Sequence, residues 1–300
     1  MQPHVFVGTA NGLYKVGSKQ PVQFTGHELR ALAKNDADWW AIIDQREVWR
    51  ANAAGSWVRI AAIESLRANC LLPTAHGLLL GTSDAHLFCL RGESFEPVRA
   101  FDSVPGREEW HNPGGSPADV RSMAAEPSGT VYVNVHVGGI LRSADAGQSW
   151  TPTIEVQADV HQVAYAADAG LVLAAAARGL AISNDRGKTW QFETDGLHGR
   201  YLRAVTAADE TILVTASTGP FTRQAAVYRK SLERSDPFER CREGLPEWFS
   251  DNVNTLCLAA SGLWVTFGTT TGEVFLSADE GQHWEKVAKD LPPVRCVAFA

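Results

Sequence analysis

The chain has 300 residues, 45% hydrophobic and 20% charged, a composition that indicates a folded protein with a sizeable core. Its formal net charge of −7, without a run of Lys or Arg, excludes the basic surface that is typical of nucleic-acid-binding proteins. The sequence has no long uncharged apolar segment and no basic leader, which predicts a cytoplasmic protein without a membrane partner.

The five cysteines show no short paired spacing of the metal-binding or redox kind, and their odd number disfavours a disulfide framework. Several of them stand within apolar strand patterns, which predicts buried free thiols rather than reactive ones. They are Cys70, Cys89, Cys241, Cys257 and Cys296.

Seven segments share an apolar run that reaches Gly or another small residue, and each predicts a strand, a turn and a second strand. They are VFVGTANGLYKV from Val5, WWAIIDQREVWR from Trp39, LLLGTSDAHLFCL from Leu78, VYVNVHVGGILRS from Val131, LVLAAAARGLAIS from Leu171, ILVTASTGPFTRQAAVYR from Ile212 and LWVTFGTTTGEVFLS from Leu263.

A second strand pattern precedes each segment except the first, and its seventh copy stands at the C-terminus. The copies are LRALA from Leu29, LRANC from Leu66, VRSMA from Val120, VHQVA from Val160, LRAVT from Leu202, VNTLC from Val253 and VRCVAFA from Val294. A repeat of about 40 residues is typical of a four-stranded propeller blade. We therefore predict an all-β, seven-bladed β-propeller of antiparallel blades, forming one domain over residues 1–300. The C-terminal strand is expected to join the N-terminal blade and close the ring.

Three longer stretches interrupt the repeat, at residues 101–119, 217–226 and 239–252. Insertions on a repeat scaffold fall in loops on one face, often the binding face.

Three octapeptides, SADAGQSW from Ser143, SNDRGKTW from Ser183 and SADEGQHW from Ser277, share Ser, Asp, Gly and Trp at fixed offsets. The Asp can accept turn N–H groups, the Gly can take positive φ, and the Trp can pack between sheets. The pattern resembles the Asp box (BNR repeat) of sialidase-like propellers. In that superfamily the box joins the two outer strands of a blade, away from the active centre. The resemblance thus implies a structural role for Asp145, Asp185 and Asp279.

Aligning the seven inner-strand patterns gives one column of residues at the expected mouth of the central channel. The column contains Arg30, Arg67, Arg121, His161, Arg203, Asn254 and Arg295. Converging arginines repel one another, so they require either carboxylates of the protein or an anionic ligand. We expect a ligand-binding collar, and the alternative is a buried network linking neighbouring blades.

Other polar residues are expected on the same face. The substrate-binding candidates outside the column are His111, Asn112, Asn134 and His198, and the candidates for catalysis are Asp119, Asp159, His136, His161 and Tyr201. Carboxylates and imidazoles exchange protons in such sites, and a tyrosine can act as nucleophile. No cofactor is expected, and a metal site on His111, His136, His161 and His198 is the lesser alternative, since no local ligand pair is present.

The sialidase motif of arginine, isoleucine and proline is absent, so no catalytic residue of that family is transferred to this chain. The preferred hypothesis is a hydrolase or lyase acting on a small anionic molecule, such as an acidic sugar. A second hypothesis is a non-catalytic propeller that binds a protein partner, with Trp110, Trp248 and Phe249 as exposed anchors. A third is a metal-dependent enzyme that uses the four histidines.

Overall fold

The computed structural model describes residues 3–36, 38–52, 55–232 and 236–300. Within these ranges, 27 strands form seven antiparallel sheets, which are the blades of a β-propeller. The fold predicted from the sequence is confirmed. No helix in the described part of the chain has the length and hydropathy needed to span a membrane.

The strands follow one another through the ring in chain order. Blade 1 contains β1 (Val5–Thr9) and β2 (Gly12–Lys15). Blade 2 contains β3 (Leu29–Lys34), β4 (Trp39–Ile43), β5 (Glu47–Ala51) and β6 (Trp57–Ala62). Blade 3 contains β7 (Ala68–Thr74), β8 (Gly77–Thr82), β9 (Leu87–Arg91) and β10 (Ser94–Pro97). Blade 4 contains β11 (Val120–Ala125), β12 (Val131–Val135), β13 (Gly139–Ser143) and β14 (Thr151–Pro152).

The remaining blades have the same order. Blade 5 contains β15 (Val160–Ala166), β16 (Leu171–Ala176), β17 (Gly179–Ser183) and β18 (Gln191–Glu193). Blade 6 contains β19 (Tyr201–Ala208), β20 (Thr211–Ser217), β21 (Ala225–Ser231) and β22 (Glu239–Arg240). Blade 7 contains β23 (Leu258–Ser261), β24 (Trp264–Gly268), β25 (Val274–Ser277) and β26 (Glu285–Ala288). The last strand, β27 (Val294–Phe299), returns to blade 1.

Three short helical turns lie in the loops that lead into inner strands. The loop before β11 holds α1 (Arg99–Asp102) and a 3₁₀ helix (Arg107–Glu109), and the loop before β15 holds a second 3₁₀ helix (Val156–Ala158). The long insertion of blade 4 therefore reaches the end of the propeller at which the inner strands begin. We call this end the mouth face.

The two ends of the chain share blade 1. β27 is its inner strand and pairs antiparallel with β1, with Phe6 opposite Ala298 and Gly8 opposite Cys296. Gln23 adds a single bridge to Leu13 at the outer edge of the same sheet. The predicted closure of the ring is confirmed, because the C-terminal strand completes the N-terminal blade.

Small residues at the ends of second strands allow neighbouring blades to approach closely. A Cβ atom on Gly81 would lie 2.3 Å from the side chain of Val120, which begins the next inner strand. A Cβ atom on Gly268 would lie 2.5 Å from Val294 in the same relation. The recurrent glycine after an apolar run is therefore a packing requirement between adjacent blades.

The three octapeptides that resemble Asp boxes, which we call the box turns, lie between the third and fourth strands of blades 4, 5 and 7. In the first box, Asp145 accepts hydrogen bonds from the backbone N–H of Ser149 at 2.9 Å and from its hydroxyl at 2.5 Å. Gly147, with φ of 86°, donates its N–H to Ser143 at 2.9 Å. Hydrogen bonding lowers the pKa of Asp145 and Asp185 to about 2. These bonds give the carboxylates a structural role.

All five cysteines are free and buried, as predicted. Burial raises the pKa of Cys70, Cys241 and Cys257 to about 12, because the thiolate is poorly solvated in the core. These thiols are packing groups.

Blade 7 departs from the sequence prediction. Its inner strand begins at Leu258 rather than at Val253, and residues 253–257 form a turn. This stretch, which we call the plug segment, lies across the channel and is bonded to other blades.

Candidate functional site

β-Bulges at the mouth face set the directions of the collar side chains. The register of each inner strand shifts around Arg30, Arg121, His161, Arg203 and Arg295. A bulged residue has no partner in the ladder, and its side chain is redirected. Five of the seven predicted collar residues therefore share one structural position.

The other two predicted collar residues, Arg67 and Asn254, do not occupy this position. In β7 the shift surrounds Asn69, while the side chain of Arg67 is 65% exposed and lies 3.8 Å from Asp119. In blade 7, Leu256 precedes Cys257 as Asn69 precedes Cys70. The prediction failed for these two blades because the sequence alignment was offset by two residues.

The plug segment closes the channel at the level of the collar backbone. The Thr255 hydroxyl donates to the carbonyls of His161 at 3.2 Å and Arg203 at 3.1 Å. The Leu256 N–H donates to Oε1 of Gln162 at 3.1 Å, and its side chain packs against apolar clusters of blades 1 to 4. These contacts place the plug segment across the channel at the level of the collar.

Four arginines at the mouth-face ends of inner strands form what we call the arginine cluster: Arg30, Arg121, Arg203 and Arg295. Burial, together with the neighbouring charges of Arg203 and Arg30, lowers the pKa of Arg121 to about 10. Among the described residues, Arg295 alone of the four has a carboxylate at ion-pair distance, with its Nε 3.1 Å from Glu28, while Asp159 acts on Arg121 from farther away. The cluster therefore carries more positive charge than its immediate protein partners offset.

Arg203 is held by neutral groups. Its Nη1 donates to Oδ1 of Asn254 at 3.2 Å, and its guanidinium lies 5.2 Å from the ring centre of Tyr201. Within the described ranges, the Nε atoms of Arg30 and Arg203 are buried without a hydrogen-bond partner. The described part of the protein leaves both donors unsatisfied.

A second group of polar residues lies beside the arginines. Nε2 of His136 is 3.1 Å from Oδ1 of Asp159, and Nε2 of His161 is 3.6 Å from the same oxygen. We call these three residues the histidine–aspartate cluster. The ring of Tyr201 lies 4.7 Å from that of His161. The structure thus brings together four of the predicted catalytic residues.

The backbone explains why these side chains meet. Asp159 has φ of 52° at the end of the 3₁₀ helix before β15, two residues ahead of the bulged His161. His136 follows β12, and its N–H donates to the carbonyl of Asp119 at 2.9 Å. Inner strands begin, and second strands end, at the mouth face, so both loops deliver their side chains there.

Burial and the nearby Arg121 lower the pKa of both histidines, most strongly for the fully buried His161. Burial alone would raise the pKa of Asp159, but His136, His161 and Arg121 together hold it below its usual value. The environment therefore favours neutral imidazoles beside an ionised carboxylate.

The fifth catalytic candidate, Asp119, interacts mainly with the insertion of blade 4. Its Oδ2 accepts a hydrogen bond from Asn112 at 3.0 Å, and Oδ1 of Asn112 lies 2.7 Å from Nδ1 of His136. Asn112 thereby connects the insertion to the histidine–aspartate cluster.

Three other predicted residues lie apart from this cluster. His198 is bonded to the Tyr228 hydroxyl at 2.8 Å and to the Gln224 carbonyl at 2.9 Å. His111 is exposed and turned to the carbonyl of Asn112 at 3.1 Å, while Asn134 is buried against Ser122. The four-histidine metal set is therefore wrong, because only His136 and His161 converge and the third converging group is a carboxylate.

The aromatic anchors predicted for a protein partner are also largely covered. Phe249 is buried against Phe267 and Phe275, so this prediction is wrong. Trp248 is covered by the guanidinium of Arg240, 3.8 Å from its ring centre. The exposed aromatic residue on the mouth face is instead Phe221, 96% exposed in the loop between β20 and β21.

Sequence reasoning missed the channel-closing role of Gln162, Thr255 and Leu256. Their contacts join residues 52 to 94 positions apart, and no local pattern signals such pairs. The weak strand pattern of residues 253–257, with polar Asn254 and Thr255 in succession, was the available indication.

No model of a known protein family and no curated protein matches the sequence. Solved structures do match. YCF48 bound to D1 peptide has 14% identity and a TM-score of 0.62, over 95% of this chain and 86% of that one. A chain of the mitotic checkpoint complex has 12% identity and a TM-score of 0.63, over 91% and 86%.

The GH74 enzyme of Niastella koreensis has 12% identity and a TM-score of 0.62, over 95% of this chain but only 47% of that one. This chain therefore spans about half of the glycoside hydrolase chain. At such low identity the likenesses show a shared β-propeller fold, which both enzymes and protein-binding propellers use.

Proposed function

We propose that the mouth of this propeller binds the carboxylate of an anionic ligand, and that the protein is a hydrolase or lyase acting on a small carboxylated molecule. The observation that carries the proposal is the arginine cluster, in which Arg295 alone has a carboxylate at ion-pair distance among the described residues. Guanidinium groups bind carboxylates with paired donors, and a partly desolvated site strengthens each bond.

The reactive groups of the proposal lie next to the anion site. Asp159, His136 and His161 surround one point, and the charge of Arg121 acts on all three. Tyr201 lies against both His161 and Arg203. A bound anion would hold the rest of the molecule within reach of groups that polarise bonds or transfer protons.

Thermal-shift and calorimetric titrations with glucuronate, citrate and inorganic phosphate would test the anion site. We expect at least one carboxylate to raise Tm, and we expect Arg121→Gln to weaken its binding by at least about tenfold, the loss of roughly 1.4 kcal/mol of charge-assisted bonding. Arg59→Gln is the control. It removes a surface ion pair in which Nε of Arg59 lies 3.1 Å from Glu47, and it should bind the carboxylate normally.

The proposal would be overturned if none of these anions binds, or if Arg121→Gln binds them as tightly as the wild-type protein. Short peptides with a free or an amidated C-terminus form a separate arm of the experiment. Binding of the free carboxylate form alone would show that the arginines recognise a chain end rather than a metabolite.

Binding of a protein segment is a second candidate, favoured by one observation. Phe221 is 96% exposed on the mouth face, and Asn252 fixes its loop through bonds to the carbonyls of Gly219 at 3.1 Å and Pro220 at 3.2 Å. A rigidly presented aromatic side chain is a typical interface anchor. Phe221→Ser should abolish capture of such a segment while leaving binding of small carboxylates unchanged.

A further inference from the structure

Three potential ligand atoms converge in the histidine–aspartate cluster. One ring nitrogen from each of His136 and His161 and a carboxylate oxygen of Asp159 all lie within 4.8 Å of one another. Separations of 3.1 and 3.6 Å from the two nitrogens to Oδ1 of Asp159 are near those between ligands on one small ion.

On the opposite side of each imidazole ring, Nδ1 lies at hydrogen-bond distance from an acceptor. Nδ1 of His161 lies 2.5 Å from the carbonyl oxygen of Leu202, which can only accept a hydrogen bond. His161 must therefore carry a proton on Nδ1, and its neutral form presents a lone pair at Nε2.

The same logic applies to His136. Its Nδ1 lies 2.7 Å from Oδ1 of Asn112, and the amide orientation is fixed because Nδ2 donates to the carbonyl of Pro117 at 2.6 Å and to Asp119 at 3.0 Å. The amide oxygen can only accept, so Nδ1 of His136 is the donor. A second Nε2 lone pair is thus directed at Asp159.

The atoms that face one another are consequently acceptors. Nε2 of His161 and Oδ1 of Asp159 are both buried, and neither has a hydrogen-bond partner among the residues that the structure describes. Two nitrogen lone pairs and a carboxylate oxygen repel one another unless a proton or a metal cation lies between them. Histidines that donate from Nδ1 and leave Nε2 free are typical of metal sites.

We propose that His136, Asp159 and His161 bind a divalent transition-metal ion at the mouth of the propeller. Imidazole nitrogen with one carboxylate oxygen suits Zn²⁺ and its first-row neighbours rather than Ca²⁺ or Mg²⁺, which prefer oxygen ligands. Small side-chain movements would bring all three atoms to coordination distance.

Three protein ligands leave at least one coordination position for water or substrate, which is the arrangement of catalytic rather than structural zinc sites. His136 and Asp159 retain 13% and 24% exposure, so solvent reaches the site. Where the proposed function also holds, the ion would activate water beside the arginine-bound anion, and the chemistry would be metal-assisted hydrolysis. Metal binding itself does not depend on that function.

The test is titration of EDTA-treated and dialysed protein with CoCl₂ and ZnCl₂. We expect one equivalent of Co²⁺ to give visible d–d absorption, and Zn²⁺ to displace it and raise Tm. Asp159→Asn, which keeps the shape of the side chain, and His136→Gln, which replaces the ring with a neutral amide, should each weaken binding at least about 100-fold.

His198→Gln is the matched control, because it removes a mouth-face histidine that is bonded to Tyr228 instead. It should bind Co²⁺ normally. Arg121→Gln should retain the metal but lose the carboxylate, so the two proposals can fail separately. Absence of stoichiometric binding in the wild-type protein, or equal binding by Asp159→Asn, would overturn the metal site.

Asn112 is a positioning residue in this proposal, since it touches only the far side of the His136 ring. Asn112→Leu removes the acceptor at Nδ1 and should weaken Co²⁺ binding about 10- to 100-fold without removing a ligand. Unchanged affinity in this variant, with a normal circular dichroism spectrum, would contradict the assigned direction of the His136 ring.

Discussion

The backbone N–H of Leu256 donates a hydrogen bond to the side chain of Gln162, 94 residues earlier and on another blade. The amide nitrogen of Gln162 donates in turn to the carbonyl of Val205 at 3.0 Å. One buried glutamine thus joins blades 5, 6 and 7 where the channel is closed. In the proposed function, this closure would keep a bound anion on the mouth face.

Gln162→Leu should destabilise the protein by about 2 to 4 kcal/mol, because it leaves two buried backbone groups without their partners. Urea denaturation, followed by fluorescence of the tryptophans, would measure the loss. The exposed Gln191→Leu serves as control and should change stability little. Equal stabilities of the two variants would show that the plug segment is not held by this bond.

Deletion of residues 294–300 should prevent cooperative folding, because β27 is the inner strand of blade 1. Its loss would expose the edge of β1 and remove Cys296 and Val297 from the core. Calorimetry of the truncated protein should show a broad or absent transition and a tendency to aggregate. Supplying the heptapeptide VRCVAFA in trans should restore part of the transition. A sharp transition at the wild-type temperature would contradict the closure.

The architecture could be predicted from the sequence because every blade repeats the same local signals. Alternating apolar strands and turn residues recur about every 40 residues, so an error in one blade leaves the others intact. The site was harder, since it depends on single residues. Arg67 and Arg121 have similar flanking residues, yet a two-residue offset of the bulge places one on the surface and the other beside the channel.

The histidine–aspartate cluster shows the same difficulty. The sequence places His111, His136, His161 and His198 on one face, but it does not give the direction of each ring. The ring of His198 is hydrogen-bonded to Tyr228 of β21, and the ring of His161 is oriented by the carbonyl of Leu202 in β19. Such choices are made by tertiary contacts, which single-sequence patterns do not contain.

The box turns should give the protein a specific sensitivity to acid. The pKa of Asp145 and Asp185 is about 2 in the folded chain, against a usual value of 3.8. Because the folded-state values are depressed, the stabilisation is fully present above pH 4 and is lost as pH falls towards 2. Asp145→Asn and Asp185→Asn should therefore be less stable than wild type at pH 7.

Melting curves between pH 2 and pH 7 would test this expectation, with the exposed Asp168→Asn as control. The difference between wild type and each box variant should shrink below pH 4 and vanish near pH 2. A difference that stays constant over this range would mean that the carboxylates stabilise their turns by shape rather than by charge.

Removal of a single arginine should make the ligand-free protein more stable. Arg121 is surrounded by Arg203 and Arg30, and its pKa is lowered because burial and these charges penalise the cation. A group that is held charged against such penalties costs folding free energy below its folded-state pKa. Replacing a poorly compensated buried ion with a neutral group is often stabilising by about 1 kcal/mol or more.

Arg121→Met should accordingly raise Tm by roughly 2 to 4 °C for each 1 kcal/mol gained. The same variant should lose the stabilisation that carboxylates give the wild-type protein, so the two melting temperatures should converge or cross when ligand is added. Arg59→Met, on an outer strand, should show neither effect. A lower Tm in Arg121→Met would instead mean that the arginine links neighbouring blades, and the cluster would then be part of the scaffold. A higher Tm than wild type without ligand, together with a lost stabilisation by ligand, is expected only if the buried arginine lowers stability but is needed for binding.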